Sequence, residues 1–314
     1  MMSIAFVFPG QGSQSVGMFD ALIAARAQYP AVAATLEEAS DVLHQDLVAL
    51  IANGPVDELG LTTNTQPVML AAGVAMWRAW IEAGGTEPSV LAGHSLGEYS
   101  ALVSSGALRF ADALPLVRFR AEAMQAAVPV GTGGMAAILG LDDDAVRAAC
   151  AEAAQGEVVE AVNFNAPAQV VIAGHKAAVE RACEAAKARG AKRAVILAVS
   201  APFHSSLMRP AADRLATRLA DVPFAAPGID VINNIDVAIE HDPEAIRASL
   251  VRQAAGPVRW AETIRRMADS GVTQVIECGP GKVLAPMARR IDPRVDGMPI
   301  HDPATLAAAL EAVR

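Results

Sequence analysis

An α/β fold with a parallel sheet, broken in mid-chain by a small split βαβ unit, is the architecture these 314 residues predict. Three observations predict it. Short apolar runs such as Ile4-Ala5-Phe6-Val7-Phe8 show no alternation with polar residues, as strands covered on both faces require. Helical periodicities separate these runs, an order that lays strands side by side in parallel with helices outside. From residue 131 to 198 the order becomes strand-helix-strand-strand-helix-strand, the split βαβ pattern.

The first expected strand, residues 4–8, ends at Pro9-Gly10-Gln11-Gly12-Ser13, where glycines permit close backbone approach. A helix follows at 31–43. Pro67 suits the first turn of a longer helix that runs to about residue 83 and stops at Gly84-Gly85. A buried strand at 88–92 enters Gly93-His94-Ser95-Leu96-Gly97, and a helix opens behind it. Another helix covers 111–127, with Asp112 in its first turn and Pro129 beyond its end. After the Gly131-Thr132-Gly133-Gly134 punctuation come a strand at 135–139, a helix at 142–154 and strands at 158–164 and 169–173. A helix at 176–189, closed by Gly190, and a strand at 193–199 complete that unit. Helices at 211–219, 243–250, 261–270 and 302–313 and strands at 228–233 and 272–277 resume the α/β order. The chain thus divides into a larger subdomain, 1–130 with 199–314, and an inserted one, 131–198.

Composition narrows the function. With 53% hydrophobic and 19% charged residues the chain is globular, and 314 residues bury a substantial core. A net charge of -9 without a Lys/Arg cluster argues against nucleic acid as a partner. Cys150, Cys183 and Cys278 lack metal-ligand spacing and read as core thiols of a reducing compartment. The apolar start has no basic flank or cleavage site, and residues 68–81 are interrupted by Arg78 and too short to span a bilayer. The cytosol is the expected location, with no membrane partner, no metal and no bound cofactor. Gly281-Lys282 lacks the glycines of a phosphate loop. Nothing resembles a coiled coil, so a monomer is expected.

The stretch Gly93-His94-Ser95-Leu96-Gly97 reads as a built nucleophile. A serine on a tight strand-to-helix bend needs tiny residues two places to either side, and both places hold glycine. The following helix would aim unpaired N–H groups at charge forming beside Ser95. A serine hydroxyl needs a base. Among six histidines, His94 adjoins the serine and points away, His44 lies on a surface helix and His175 opens a helix. His241 and His301 each precede Asp-Pro, as turn residues do. His204 remains, on the loop returning from the insert. Asp236, Asp242, Glu262 and Glu277 give no distinctive spacing toward it, which leaves a backbone carbonyl or an amide side chain to orient the ring. Arg120 admits two readings: a surface arginine, or an inward guanidinium that requires an anionic partner such as a substrate carboxylate.

Together these motifs resemble the malonyl-coenzyme A:acyl carrier protein transacylase family over essentially the whole chain. The resemblance rests on Phe8-Pro9-Gly10-Gln11-Gly12-Ser13-Gln14, Gly93-His94-Ser95-Leu96-Gly97-Glu98-Tyr99-Ser100 and the Arg120 region with Met124-Gln125. It extends through residues 133–141 and 163–174, Pro202-Phe203-His204-Ser205, and Glu277 with Gly279-Pro280-Gly281-Lys282. It implies a large α/β-hydrolase-like subdomain interrupted by a small ferredoxin-like one. It further implies Ser95 as nucleophile and His204 as base, Gln11 and Leu96 as backbone oxyanion donors, Arg120 as the clamp on the malonyl carboxylate, and Gln253 as the residue whose carbonyl steadies His204. Gln66, Asn163 and Asn165 are implied as cleft-lining positions.

The activity implied is transfer of malonyl from malonyl-coenzyme A, through a malonyl-serine, to the phosphopantetheine thiol of a separate acyl carrier protein. Coenzyme A is then part of a substrate and not a cofactor. Carrier protein is acidic, so a basic patch is expected near the cleft, with Lys187, Arg189, Lys192 and Arg193 as contributors. Other readings are a serine thioesterase or hydrolase, a polyketide-type transacylase of different acyl preference, and a non-catalytic docking protein for the carrier.

Overall fold

Five parallel strands form the larger sheet of the structure, a computed structural model that describes residues 3–313. They are β1 (Ser3–Phe8), β2 (Val90–Gly93), β7 (Asp230–Ile232), β8 (Val272–Cys278) and β9 (Asp296–Ile300), in the order β7-β2-β1-β8-β9. The intervening β3 (Gly133–Leu139), β4 (Val159–Ala166), β5 (Gln169–His175) and β6 (Arg193–Ile196) make a separate antiparallel sheet ordered β4-β5-β3-β6. That order, with helices Asp143–Ala154 and Lys176–Ala188 packed on the sheet, is the ferredoxin-like arrangement.

The apolar run of β1 is continuous because both of its faces are covered. Phe6 and Phe8 join one core with the helix Thr62–Glu82, whereas Ala5 and Val7 join another with Trp260 and Ile264. Trp77 and Trp80 of that long helix pack edge-on against Phe6, with ring centroids 5.4 and 5.0 Å away. The insert has its own core of Ile138, Val146, Val170, Ile172 and Val179. It is also fastened to the larger sheet's layers. Val258 accepts from Phe164 N–H at 2.9 Å and donates to Val162 at 2.8 Å, and Glu160 accepts from Ser206 N–H at 2.7 Å. The gap between the two sheets holds the site.

Pro67 is not in a first turn. It is the sixth residue of the helix, which begins five positions earlier, at Thr62, on residues too polar to advertise a helix. The strand expected to reach residue 199 ends at Ile196: Leu197 N–H still donates to Met135 at 2.9 Å, but beyond it Ala198-Val199 leave the sheet, and Leu197-Ala198-Val199 line the central cavity. Short helices at Asp20–Ala24, Leu47–Asn53, Val56–Gly60 and Ala285–Ile291 add to the expected elements. So does β9, whose Gly297 and Pro299 mask a strand; at a sheet edge Pro299 forfeits no ladder bond that a central strand would need. Cys150, Cys183 and Cys278 are buried free thiols. No helix among the described residues is long and apolar enough to cross a membrane.

Candidate active site

The bend after β2 is forced by crowding. A Cβ on Gly93 would lie 1.8 Å from the carbonyl carbon of Gly97, and one on Gly97 would lie 2.0 Å from the carbonyl oxygen of Phe8. Only glycine fits either place, and the helix Gly97–Ser104 can therefore start directly over β1. Ser95 sits at the apex with φ 53°, in the left-handed region a side chain seldom adopts. Asn234, just past the end of β7, holds it there: its Oδ1 accepts from Ser95 N–H at 2.7 Å and its Nδ2 donates to Gly93 at 2.6 Å.

The seryl Oγ lies 2.6 Å from His204 Nε2. His204 is buried on the loop between β6 and the turn Ser206–Met208, itself at φ 67°. Its Nδ1 faces two backbone carbonyls, Gln253 at 3.0 Å and Gly256 at 3.2 Å, so Nδ1 carries the proton and Nε2 is left as the acceptor for the serine. Of the two orienting groups left open by the residues, the backbone carbonyl is the one present.

Arg120, on the helix Phe110–Ala126, is 2% exposed and points inward. Arg118, two residues away, lies on a different face and reaches Gln45. Arg120 Nη1 donates to Gln66 Oε1 at 2.8 Å, and Nη2 donates to Gln253 Oε1 at 3.1 Å and Ser95 Oγ at 3.3 Å. The guanidinium carbon also stands 5.5 Å from the centre of the Tyr99 ring. Its partners are neutral, leaving its positive charge uncompensated by direct contact. The main-chain N–H groups of Gln11 and Leu96 donate to no protein acceptor among the described residues. Both residues line the same cavity of about 410 Å3 as Ser95, His204, Arg120 and Gln66.

Asn163 lines this cavity too, its buried Oδ1 without a protein partner. Asn165, expected beside it, does not. Its Oδ1 lies 2.8 Å from His94 Nε2, so it ties the insert to the elbow behind the cavity wall. His94 is among the residues lining the cavity, while its ring turns to Asn165 and to Trp260, whose ring centroid is 5.5 Å away. Of the proposed basic residues, Lys187 pairs with Glu184 at 2.8 Å and Arg189 with Glu152 at 2.5 Å, which cancels their charge locally. Lys192 and Arg193 make no ion pair among the described residues.

Burial dominates the electrostatics. Desolvation, aided by the positive charge of Arg120, pushes the His204 imidazole down to about 3, so it is neutral at pH 7. Burial likewise lowers His94 and Arg120 and lifts the Tyr99 hydroxyl to about 12. Glu98, 1% exposed, is raised to about 7 by desolvation, opposed by hydrogen bonds from Gln253 and Asn234. Glu98 and Asn234 had not been singled out from the sequence. Asn234 offered one signal: it follows a parallel strand, where the sites of such sheets gather.

Residues 5–298 match the acyl transferase domain family. The malonyl CoA-acyl carrier protein transacylase of Salmonella typhimurium is 54% identical over 310 residues, 99% of each chain, and that of Escherichia coli is 54% identical over 99% of this chain and 100% of its own. An acyl-carrier-protein S-malonyltransferase from Burkholderia pseudomallei superposes with a TM-score of 0.96 at 66% identity, covering 99% of this chain and 100% of that one. A malonyl-transacylase solved in complex with its type II polyketide acyl-carrier protein superposes with a TM-score of 0.97 at 53% identity, covering 99% of each. Over its whole length, and with a serine–histidine pair beside a buried arginine at its centre, the chain belongs to the malonyl CoA-acyl carrier protein transacylase family.

Proposed function

We propose that the chain transfers malonyl from malonyl-coenzyme A to the phosphopantetheine thiol of acyl carrier protein, supplying fatty acid synthesis, with the roles set out here. The observation that carries the reading is the meeting of Ser95 Oγ, at 2.6 Å, with a neutral imidazole and, at 3.3 Å, with an arginine whose protein partners are all uncharged. The malonyl carboxylate supplies the anion Arg120 lacks and sets the thioester carbonyl over Ser95. His204 Nε2 takes the seryl proton as Oγ attacks, and the carbonyls of Gln253 and Gly256 receive the imidazolium's Nδ1–H. The developing oxyanion meets the N–H groups of Gln11 and Leu96. The tetrahedral adduct collapses, the carbon–sulfur bond breaks, and the coenzyme A thiol leaves with the proton from His204. The carrier thiol then gives its proton to His204 and attacks the malonyl ester, the bond to Ser95 Oγ breaks, and Oγ takes that proton back from His204, in ping-pong order.

Residues 131–198 act as the smaller subdomain, 1–130 with 199–314 as the larger, and the cavity opens between them. Every group needed lies on one chain, which supports a monomer. Lys192 and Arg193, without ion pairs among the described residues and at the end of β6 opposite the Leu197-Ala198-Val199 wall, are the members of the expected basic patch left to face an acidic carrier. The test is intact-mass measurement after mixing with malonyl-coenzyme A. One malonyl per chain is expected, mapped to Ser95 and discharged by added carrier protein. Release of free malonate at a rate indifferent to carrier would make the chain a hydrolase, and no adduct would leave a docking role.

A further inference from the structure

The steps above leave a buried carboxyl group beside the elbow without a task. Glu98 lies one turn beyond Ser95, and its Oε2 accepts from the main-chain N–H of Asn234 at 2.8 Å and from Gln253 Nε2 at 2.9 Å. It makes no ion pair with Arg120; the fully buried Gln253 stands between them. The Gln253 amide nitrogen also donates to the main-chain carbonyl of Ser95 at 3.0 Å, while its Oε1 accepts from Arg120 Nη2 at 3.1 Å. The two ends of an amide have nearly the same shape, and their partners alone decide which way it faces. On one side the Ser95 carbonyl and Glu98 Oε2, the oxygen that also accepts from Asn234 N–H, act as acceptors, and on the other a guanidinium donates only. Reversed, the amide would set its NH2 against the guanidinium and its oxygen against two acceptors.

The geometry points to Glu98 as a positioning residue that locks the Gln253 amide, so that its oxygen holds Arg120 toward the cavity and thereby sets the preference for acyl groups bearing a free carboxylate. With Glu98 gone, the Ser95 carbonyl and the guanidinium would still oppose reversal, but the amide nitrogen would keep a single acceptor, and the guanidinium a less firmly held partner on the side nearest the serine. The inference rests on the reading that Arg120 receives the malonyl carboxylate. A purely structural Glu98 would brace the elbow through Asn234 and would affect every acyl group alike.

Single-turnover acylation of Ser95 with malonyl- and acetyl-coenzyme A separates the two. Glu98→Ala lowers the malonyl-to-acetyl ratio of kcat/KM by about tenfold to a hundredfold, the worth of one hydrogen bond to a charged group. Glu98→Gln, whose amide oxygen can accept from both donors, keeps the ratio within about threefold of the parent, as a variant that retains the hydrogen bonds should. Adding Glu98→Ala to Gln253→Ala lowers the ratio no further, since both act through one amide. If Glu98→Ala does not fold, Glu98→Asp, which withdraws the carboxylate from Gln253, carries the same expectation. Equal losses with both thioesters, a Glu98→Gln ratio as poor as that of Glu98→Ala, or fully additive losses would overturn the inference. Failure of the underlying reading is distinguishable: Arg120→Ala would then damage both thioesters equally, whereas failure of this inference alone leaves Arg120→Ala selective.

Discussion

Replacing Arg120 with alanine tests the acyl preference most directly. In the parent, the guanidinium is buried and surrounded by neutral partners, Gln66 at 2.8 Å and Gln253 at 3.1 Å, so a malonyl carboxylate entering the cavity would be its first direct counter-ion. Removing one member of a buried charge pair costs about 3–5 kcal/mol. At ~1.4 kcal/mol per factor of ten, malonyl acylation should slow by about two to three and a half orders of magnitude. Acetyl-coenzyme A has no carboxylate and escapes that loss. It feels two smaller effects of opposite sign. The amide oxygens of Gln66 and Gln253 each lose a donor, which costs stability of about 1–3 kcal/mol per unsatisfied group. His204 is relieved of a positive neighbour that depresses its pKa, and so becomes a stronger base. The malonyl-to-acetyl ratio of kcat/KM should therefore collapse by about a hundredfold or more. The assay is rapid-quench acylation with both thioesters, followed by intact mass, on protein checked for folding by circular dichroism. A proportional loss on both substrates would refute the carboxylate clamp.

Four further outcomes follow from the same geometry. Gly97→Ala should destabilise the protein by about 3 kcal/mol or more, at the upper end of overpacking costs, because the new Cβ meets backbone that cannot rotate away; parent-like urea unfolding would contradict this. Asn234→Ala leaves Ser95 N–H unpaired and should slow acylation by malonyl and acetyl alike, at a stability cost of about 1–3 kcal/mol; a substrate-selective loss would count against its place behind the elbow. In the pH dependence, His204 stays neutral in the folded protein far below its ordinary range, so it should contribute no acidic limb near 6.5 to malonyl acylation. For stability the signs oppose each other. The unfolded chain protonates His204 near 6.5 while the folded one resists to about 3, so that contribution is lost as pH falls through this window. The folded chain keeps a proton on Glu98 up to about 7 against a reference of 4.5, so that contribution is lost as pH rises. Unfolding free energies should thus favour Glu98→Gln over the parent increasingly from pH 5 to 8, and a constant difference would contradict the burial of that carboxylate.

What was legible in the chain was whatever depends on pattern or on steric necessity. The β1 run, the split βαβ order and the paired glycines around Ser95 declare themselves because no alternative residues serve. His204 emerged by elimination, and Arg120 required the family resemblance, since an arginine on a helix looks the same whether its face turns inward or out. Glu98 and Asn234 stayed hidden for a related reason: a buried polar group is defined by partners far along the chain, here 136 residues from one another. The start of the long helix at Thr62 was obscured because its first turn is polar; Thr62 Oγ1 spends its hydrogen on Gln11 Oε1, 2.8 Å away, a contact no local pattern announces. Asn165 shared the alternation of β4 with Asn163 but met His94 first.

The two carbonyl oxygens facing His204 Nδ1 limit the repertoire of this centre. Dipoles reward a transient imidazolium less than a full carboxylate charge would, so proton abstraction here is energetically steeper than in a proteolytic triad. An acyl carbon attached to sulfur is electrophilic enough to tolerate that handicap, and a departing thiol, ordinarily ionising near 8.5, demands little assistance. Peptide bonds, with their resonance and strongly basic amine, would stall. The centre is in this way matched to thioesters and ill suited to polypeptide backbones.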